Sequence, residues 1–161
     1  MRLILLTLLV FLAISSQSKA APDENKLPPD AANALHSAKE VILYSLEPWS
    51  IPAKNDKTLE HFKILGQTTL ADKQASIAIA EFKSAILKKR RGVVIFCFDP
   101  RHAIRVDSGG HTCDFLLCYT CGYLYVYCDG KNTAELDAGG SPKVLNALLT
   151  DANIPLSKSG Q

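Results

Sequence analysis

Apolar residues along this chain recur at two periods, and the changes between them lay out the elements. Over residues 69–90 the period is helical: Ala71, Ala75, Ala78, Ile79, Phe82, Ala85 and Ile86 share one face, and Asp72, Lys73, Ser76, Lys83 and Ser84 fall opposite. Gly92 stands where a helix stop is expected. The spacing therefore predicts one long helix over 69–90, with an alanine-rich face that permits close approach. A second helix is predicted over 141–151, with Ser141 as its cap and Pro142 in the first turn, where a missing N–H costs nothing. Asp30 caps a short helix over 30–39. Residues 41–46 read as a strand ended by Pro48, residues 49–58 as a loop holding Pro52, Asn55 and Asp56, and residues 62–65 as a short strand closed by Gly66. The unbroken apolar run 93–98 has the character of a central strand, and Asp99-Pro100 interrupts it.

Alternation after Pro100 sets two hairpins. A two-residue turn at Gly109-Gly110 places Arg105 opposite Asp114 and Ile104 opposite Phe115, charge meeting opposite charge and apolar meeting apolar. A second turn at Cys121-Gly122 places Leu117 opposite Val126, Tyr119 opposite Leu124 and Cys118 opposite Tyr125. Both registers then collect Ile104, Val106, Phe115, Leu117, Leu124 and Val126 on a core face. Arg101, Arg105, Asp107, Asp114, Cys118, Tyr125 and Tyr127 collect on the other. A one-residue slip in either turn would exchange the two sets. The fold class that follows is α+β: a mainly antiparallel sheet of about five strands, with a long central helix and a C-terminal helix packed on it.

The N-terminal segment decides the compartment. Arg2 gives a positive start, residues 3–14 are apolar apart from Thr7, and Ser18-Lys19-Ala20 offers small residues at the cleavage positions, the layout of a secretory signal peptide. That run of about 12 residues is shorter than the ~20 a helix needs to span a bilayer. The expected organisation is a signal peptide over 1–20, an exposed leader over 21–29 with Pro22, Pro28 and Pro29, a single domain over 30–156 and a flexible tail over 157–161. The product is periplasmic or secreted, with no membrane anchor after cleavage.

Cleavage also changes the charge balance. The chain carries 18 Lys+Arg and 16 Asp+Glu, and losing Arg2 and Lys19 leaves 16 against 16. A neutral chain lacks the basic excess of a nucleic-acid binder. The basic run Lys88-Lys89-Arg90-Arg91 sits at a predicted helix end, where cations suit the helix dipole.

Candidate chemistry concentrates between Cys97 and Cys128, a stretch holding all five cysteines. The string from Cys97 through Phe98, Pro100, Arg101, His102 and Ile104 to Arg105, followed by Cys118 and Cys121, resembles a group of small exported bacterial proteins with a C-F-x-P-R-H-x-I-R segment and a later C-x-x-C. Group members usually show glycine where this chain has Ala103, and Cys113 and Cys128 look like additions. No activity is established for that group, so the resemblance implies a compartment and an intact domain and carries no mechanism.

Three readings of the cysteines stay open. A redox pair at Cys118 and Cys121 needs a thiolate, which Arg101 would favour, but such pairs usually open a helix and this one ends a strand. Cys97, His102, Cys118 and Cys121 together make a three-cysteine, one-histidine set compatible with tetrahedral zinc; no other cofactor is expected. The plainest reading is cysteines oxidised or buried as scaffolding, with a disulfide between Cys113 and Cys128 allowed by their placement on adjacent strands, diagonally offset. His102, near Asp99 and Asp114, has the residue type of a general base, but its register points it to the apolar side, where a hydrogen-bonded structural role fits better. His36, His61 and His111 suit surface or capping positions.

Arg101, Arg105, Asp114 and Tyr125 form a candidate binding surface, since Arg and Tyr are enriched where partners dock. The leading expectation is thus a non-enzymatic exported binding or interaction domain that takes a protein or small-molecule partner and no nucleic acid. The alternative is a thiol-based site, redox or zinc, built on Cys118 and Cys121 with Cys97 and His102.

Overall fold

A computed structural model describes residues 27–88 and 97–158. The expected signal peptide, most of the leader, the basic run beyond Lys88 and residues 93–96 of the expected central strand lie outside that range.

The chain runs α1 (Pro29–His36), β1 (Glu40–Glu47), β2 (Thr58–Leu59), β3 (Phe62–Thr69), α2 (Asp72–Leu87), β4 (His102–Asp107), β5 (Thr112–Cys118), β6 (Tyr123–Cys128), β7 (Lys131–Asp137) and α3 (Lys143–Asp151). The fold is α+β, with an antiparallel sheet of seven strands in the order β2-β3-β1-β4-β5-β6-β7. The five strands read from the sequence are corrected to seven because β2 is only two residues long and β7, Lys-Asn-Thr-Ala-Glu-Leu-Asp, is an exposed edge whose polar side chains carry almost no alternation.

α1 begins at Pro29 with Pro28, not Asp30, at its cap, and α3 begins at Lys143 with Pro142, not Ser141, at its cap; the shifts at α2 and β3 have local causes. Thr69 stays in β3, paired with Ile42, so α2 starts at Asp72. There the Gln74 side chain accepts from the Ala71 N–H at 3.3 Å. Gly66 does not close β3. It pairs with Ser45 beside a bulge, and a Cβ there would come within 2.8 Å of Ile154, so the glycine admits the C-terminal segment against the strand. Cys97 and Phe98 are in no strand; β1 and β4 pair directly and fill the centre of the sheet.

The first hairpin holds the expected register, Arg105 opposite Asp114 and Ile104 opposite Phe115. Gly109 and Gly110 take φ of 88° and 113°, which only glycine adopts without strain. The second hairpin is corrected by two residues: Leu117 faces Leu124 and Cys118 faces Tyr123. Its turn is wider than a two-residue one, with the Gly122 N–H donating to the Cys118 carbonyl at 2.8 Å. A shift of two preserves the faces, so Ile104, Val106, Phe115, Leu117, Leu124 and Val126 are all fully buried. They form one core with Ala34 and Leu35 of α1, Phe82 and Ala85 of α2, and Leu145 and Leu149 of α3.

The opposite face has its own smaller core of Tyr44, Leu46, Leu59, Ala103 and Leu116. Phe98 lies over it, stacked on Tyr125 of β6 at 3.7 Å and edge-on to Phe62 of β3 at 5.9 Å between ring centroids. In the strand order β3 and β6 stand four intervals apart, about 19 Å in a flat sheet. One phenylalanine touching both shows how far the sheet curls.

Candidate functional site

The wider turn between β5 and β6 builds the cysteine site. Cys118 ends β5, Cys121 lies in the turn, and the two are joined in a disulfide with Cα atoms 5.2 Å apart. Both are buried. The Cys121 N–H donates to Cys118 Sγ at 2.9 Å, closing the turn on its own sulfur. The segment preceding β4 passes beside them: Cys97 Sγ lies 3.1 Å from Cys121 Sγ, and the Asp99 N–H donates to that same sulfur at 3.3 Å. Cys97 belongs to neither disulfide and is partly exposed. Among the described residues, the cluster with metal-binding proximity is Cys97, Asp99 and Cys121, whose donor atoms all lie within 4.8 Å of one another.

His102 does not join that cluster. It is 4 % exposed, with Nε2 bonded to Asn146 Oδ1 on α3 at 2.7 Å and its ring edge-on to Tyr119. Burial, with the Arg101 charge adding to it, pushes its pKa down to about 4, against the pull of the Asn146 bond. Such a ring is neutral at pH 7 and a poor proton acceptor. The Tyr119 hydroxyl donates to Glu81 at 3.2 Å, and burial, followed by the Glu81 charge, holds that phenol well above its usual range.

Cys113 and Cys128 face each other directly across β5 and β6 and form the second disulfide, with Cα atoms 4.1 Å apart. The diagonal offset expected for them vanishes with the two-residue correction of the register. Two disulfides fit an oxidising compartment. No helix among the described residues is long and apolar enough to cross a membrane.

The four residues of the expected binding surface are differently employed. Arg105 and Asp114 make a two-pronged ion pair, both bonds 2.7 Å, with Asp114 buried. The bond to Asp114 is the main cause of a guanidinium pKa above its usual value. Tyr125 lies beneath the Phe98 ring, and Arg101 belongs to the wall of a separate cavity beside His102. Asp99 in the cysteine cluster and Asn146 against His102 had no motif to announce them, and Phe98, though part of the C-F-x-P-R-H string, was read as strand rather than as a cover over Tyr125. The one available signal was Asn146, a polar residue next to Leu145 in a helix whose apolar residues face the sheet.

Comparison with protein-family models, with curated proteins and with solved structures finds no match.

Proposed function

We propose that the protein is an exported thiol–disulfide exchange protein in which Cys97 relays between partner proteins and the buried Cys118–Cys121 disulfide. The observation that carries this is the 3.1 Å separation of Cys97 Sγ from Cys121 Sγ, one of the two sulfurs of an existing bridge. In the relay step the Cys97 thiol loses its proton, for which the Asp99 carboxylate is the neighbouring acceptor, and the thiolate attacks Cys121 Sγ. The Cys97–Cys121 bond forms, the Cys118–Cys121 bond breaks, and Cys118 leaves as a thiolate that takes up a proton. The Cys121 N–H already aimed at Cys118 Sγ stabilises that leaving group, as a hydrogen bond to an anion does.

Exposure supports the division of labour. Cys118 and Cys121 are 1 % and 0 % exposed, out of reach of a macromolecular thiol, whereas Cys97 is partly exposed. A partner thiolate attacks Cys97 in the relayed bridge, giving a mixed disulfide and releasing Cys121. The partner's second thiol resolves it, so the partner gains a disulfide and this chain is left with its three thiols at Cys97, Cys118 and Cys121.

A second reading has its own observation. With Cys118 and Cys121 reduced, Cys97, Asp99 and Cys121 offer a hard–soft donor set that suits zinc, with Cys118 as a fourth ligand and without His102. One experiment separates the two. The oxidised protein is mixed with a reduced dithiol peptide, quenched with acid, alkylated and mapped. The relay predicts oxidation of the dithiol peptide by wild type, with a Cys97–Cys121 peptide among the quenched species, and a rate at least about tenfold lower in Cys97→Ser. Equal rates in wild type and Cys97→Ser overturn it. Purified protein carrying one zinc, with Cys97 and Cys121 alkylated only after denaturation, moves the assignment to the metal.

A further inference from the structure

Two large apolar side chains stand out into solvent on the loop between β1 and β2: Trp49 is 67 % exposed and Ile51 96 %. The loop that carries them is tied down. Pro48 and Pro52 fix the backbone on either side of the pair, and a residue before proline is held extended, as Ile51 is here. The Trp49 N–H donates to Glu47 Oε1 at 3.2 Å, and the Ala53 N–H donates to Asp56 Oδ2 at 2.8 Å. The Asp56 N–H returns to the Ala53 carbonyl at 2.9 Å, and the Asp56 carboxylate pairs with Lys63 of β3 at 3.0 Å. A loop fixed at both ends presents its apex with little further ordering on contact.

Charge and area say what the apex meets. Exposed Lys54 and Lys57 follow the pair, and with Lys63 they set three ammonium groups against the single carboxylate of Asp56. The flanking acids are engaged elsewhere: Glu47 accepts from the Trp49 N–H and the Ser157 hydroxyl, and Glu60 interacts with the charges of Arg105 and Asp114. Two side chains of this size offer roughly 300 Å², against about 800 Å² per partner in a stable protein interface. A second copy or a folded partner would need far more apolar surface than Lys54, Asn55 and Lys57 provide. A bilayer asks for less, because its interface accepts single indole and aliphatic side chains and an anionic leaflet strengthens attraction about fivefold per lysine.

We infer that this loop docks the protein, weakly and reversibly, on an anionic lipid surface, with Trp49 and Ile51 entering the interface and Lys54 and Lys57 facing the headgroups. The contact is with one leaflet and involves no membrane-crossing segment. It does not rest on thiol exchange, since none of these residues belongs to the cysteine cluster.

Trp49 is the chain's only tryptophan, so its emission reads this loop alone. The test is titration of the purified oxidised protein with vesicles of phosphatidylcholine and with vesicles of equal parts phosphatidylcholine and phosphatidylglycerol, following Trp49 emission and checking binding by co-sedimentation. Emission is expected to move to shorter wavelength on the anionic vesicles, with partition at least about tenfold stronger than on phosphatidylcholine. Ile51→Ser, which keeps the reporter, should weaken partition by at least about tenfold. Lys54→Gln with Lys57→Gln should remove most of the preference for the anionic vesicles. All three positions are exposed, so far-UV circular dichroism should show the fold unchanged. Unmoved emission on anionic vesicles, equal partition on the two vesicle types, or partition undiminished in Ile51→Ser overturns the assignment. So does emission that shifts with protein concentration in the absence of lipid, the mark of a second copy on the loop.

Discussion

The clearest quantitative consequence of the His102 environment is a loss of stability on mild acidification. An unfolded chain titrates this imidazole near 6.5, whereas the native ring, buried and beside the Arg101 charge, holds out to about 4. Between those values the unfolded state binds a proton that the native state refuses, so stability rises with pH across the window and falls as pH drops through it. At about 1.4 kcal/mol per pH unit, the whole swing is about 3 kcal/mol, a sizeable part of the 5–15 kcal/mol typical of a domain. Other titrating groups act outside this window or in the opposite sense, among them Glu60, whose carboxyl pKa is raised by burial so that it favours the native state on acidification. Asp56 and Asp129, held below the usual carboxylate range by backbone hydrogen bonds, lose their contributions below pH 4. His111, raised by its bond to Asp129, acts in the opposite direction, favouring the native state at low pH and losing that contribution as pH rises. Urea unfolding at a series of pH values from 7 to 4.5 measures the effect. Far-UV circular dichroism is the better probe, since Trp49 is 67 % exposed and reports little on the core. Wild type should lose about 2–3 kcal/mol over this range. His102→Gln, whose amide nitrogen can take the place of Nε2 at Asn146, should be less stable at pH 7 yet nearly flat across the window. An equal acid loss in His102→Gln, or a ring titrating near 6.5 by NMR in the folded protein, would refute the reasoning.

Further perturbations test other parts of the fold. Replacing Cys113 and Cys128 together by serine removes a bridge spanning 15 residues and should cost about 3 kcal/mol in chemical unfolding while leaving dithiol oxidation intact. Phe115→Ala, at a fully buried position packed on Phe82, should cost about 3–5 kcal/mol. Arg105→Met strands the buried Asp114 carboxylate. Because the arginine side chain is 39 % exposed, the expected cost is about 2 kcal/mol, between that of a surface pair and that of a fully buried one, and a double-mutant cycle with Asp114→Asn gives the coupling. Gly139→Ala drives a Cβ into the Lys88 backbone carbonyl next to the bond from the Gly139 N–H to Ala85, so its thermal midpoint should fall well below that of wild type.

What the sequence made legible follows from how local each signal was. The Gly109-Gly110 hairpin was readable to the residue because two glycines, a charge pair and an apolar pair all demanded the same register. The second hairpin had only one cue, Cys121-Gly122, and the turn widened to close on its own disulfide; the faces survived because the shift was even. β7 was missed because an exposed edge strand buries little and needs no alternation. The candidate site was half legible. Cys97, Cys118 and Cys121 were grouped from the sequence, and the structure places Cys97 and Cys121 side by side. The fourth position went to His102, whereas Asp99 stands there and His102 turns into the interior to meet Asn146, 44 residues away. A pairing of that kind depends on where α3 docks, which no local pattern encodes. Tyr125 read as exposed because Phe98 was assigned to a strand rather than laid across the curled sheet.

The bridge between Cys113 and Cys128 would have a mechanical meaning under the proposed relay, in which the other bridge opens. Both disulfides start on β5, one at each end, and only the second ties that strand to its neighbour β6 across the ladder. While Cys118 and Cys121 are apart, the turn end of the hairpin can breathe, yet the far end stays clamped and the register cannot slip. In amide hydrogen exchange, reduction of Cys118–Cys121 alone should quicken exchange around the 119–122 turn and leave the amides of Phe115 and Val126 as slow as before. Under that relay the hairpin would behave as a hinge with one fixed leaf, its tip changing redox state without the sheet having to be rebuilt each time.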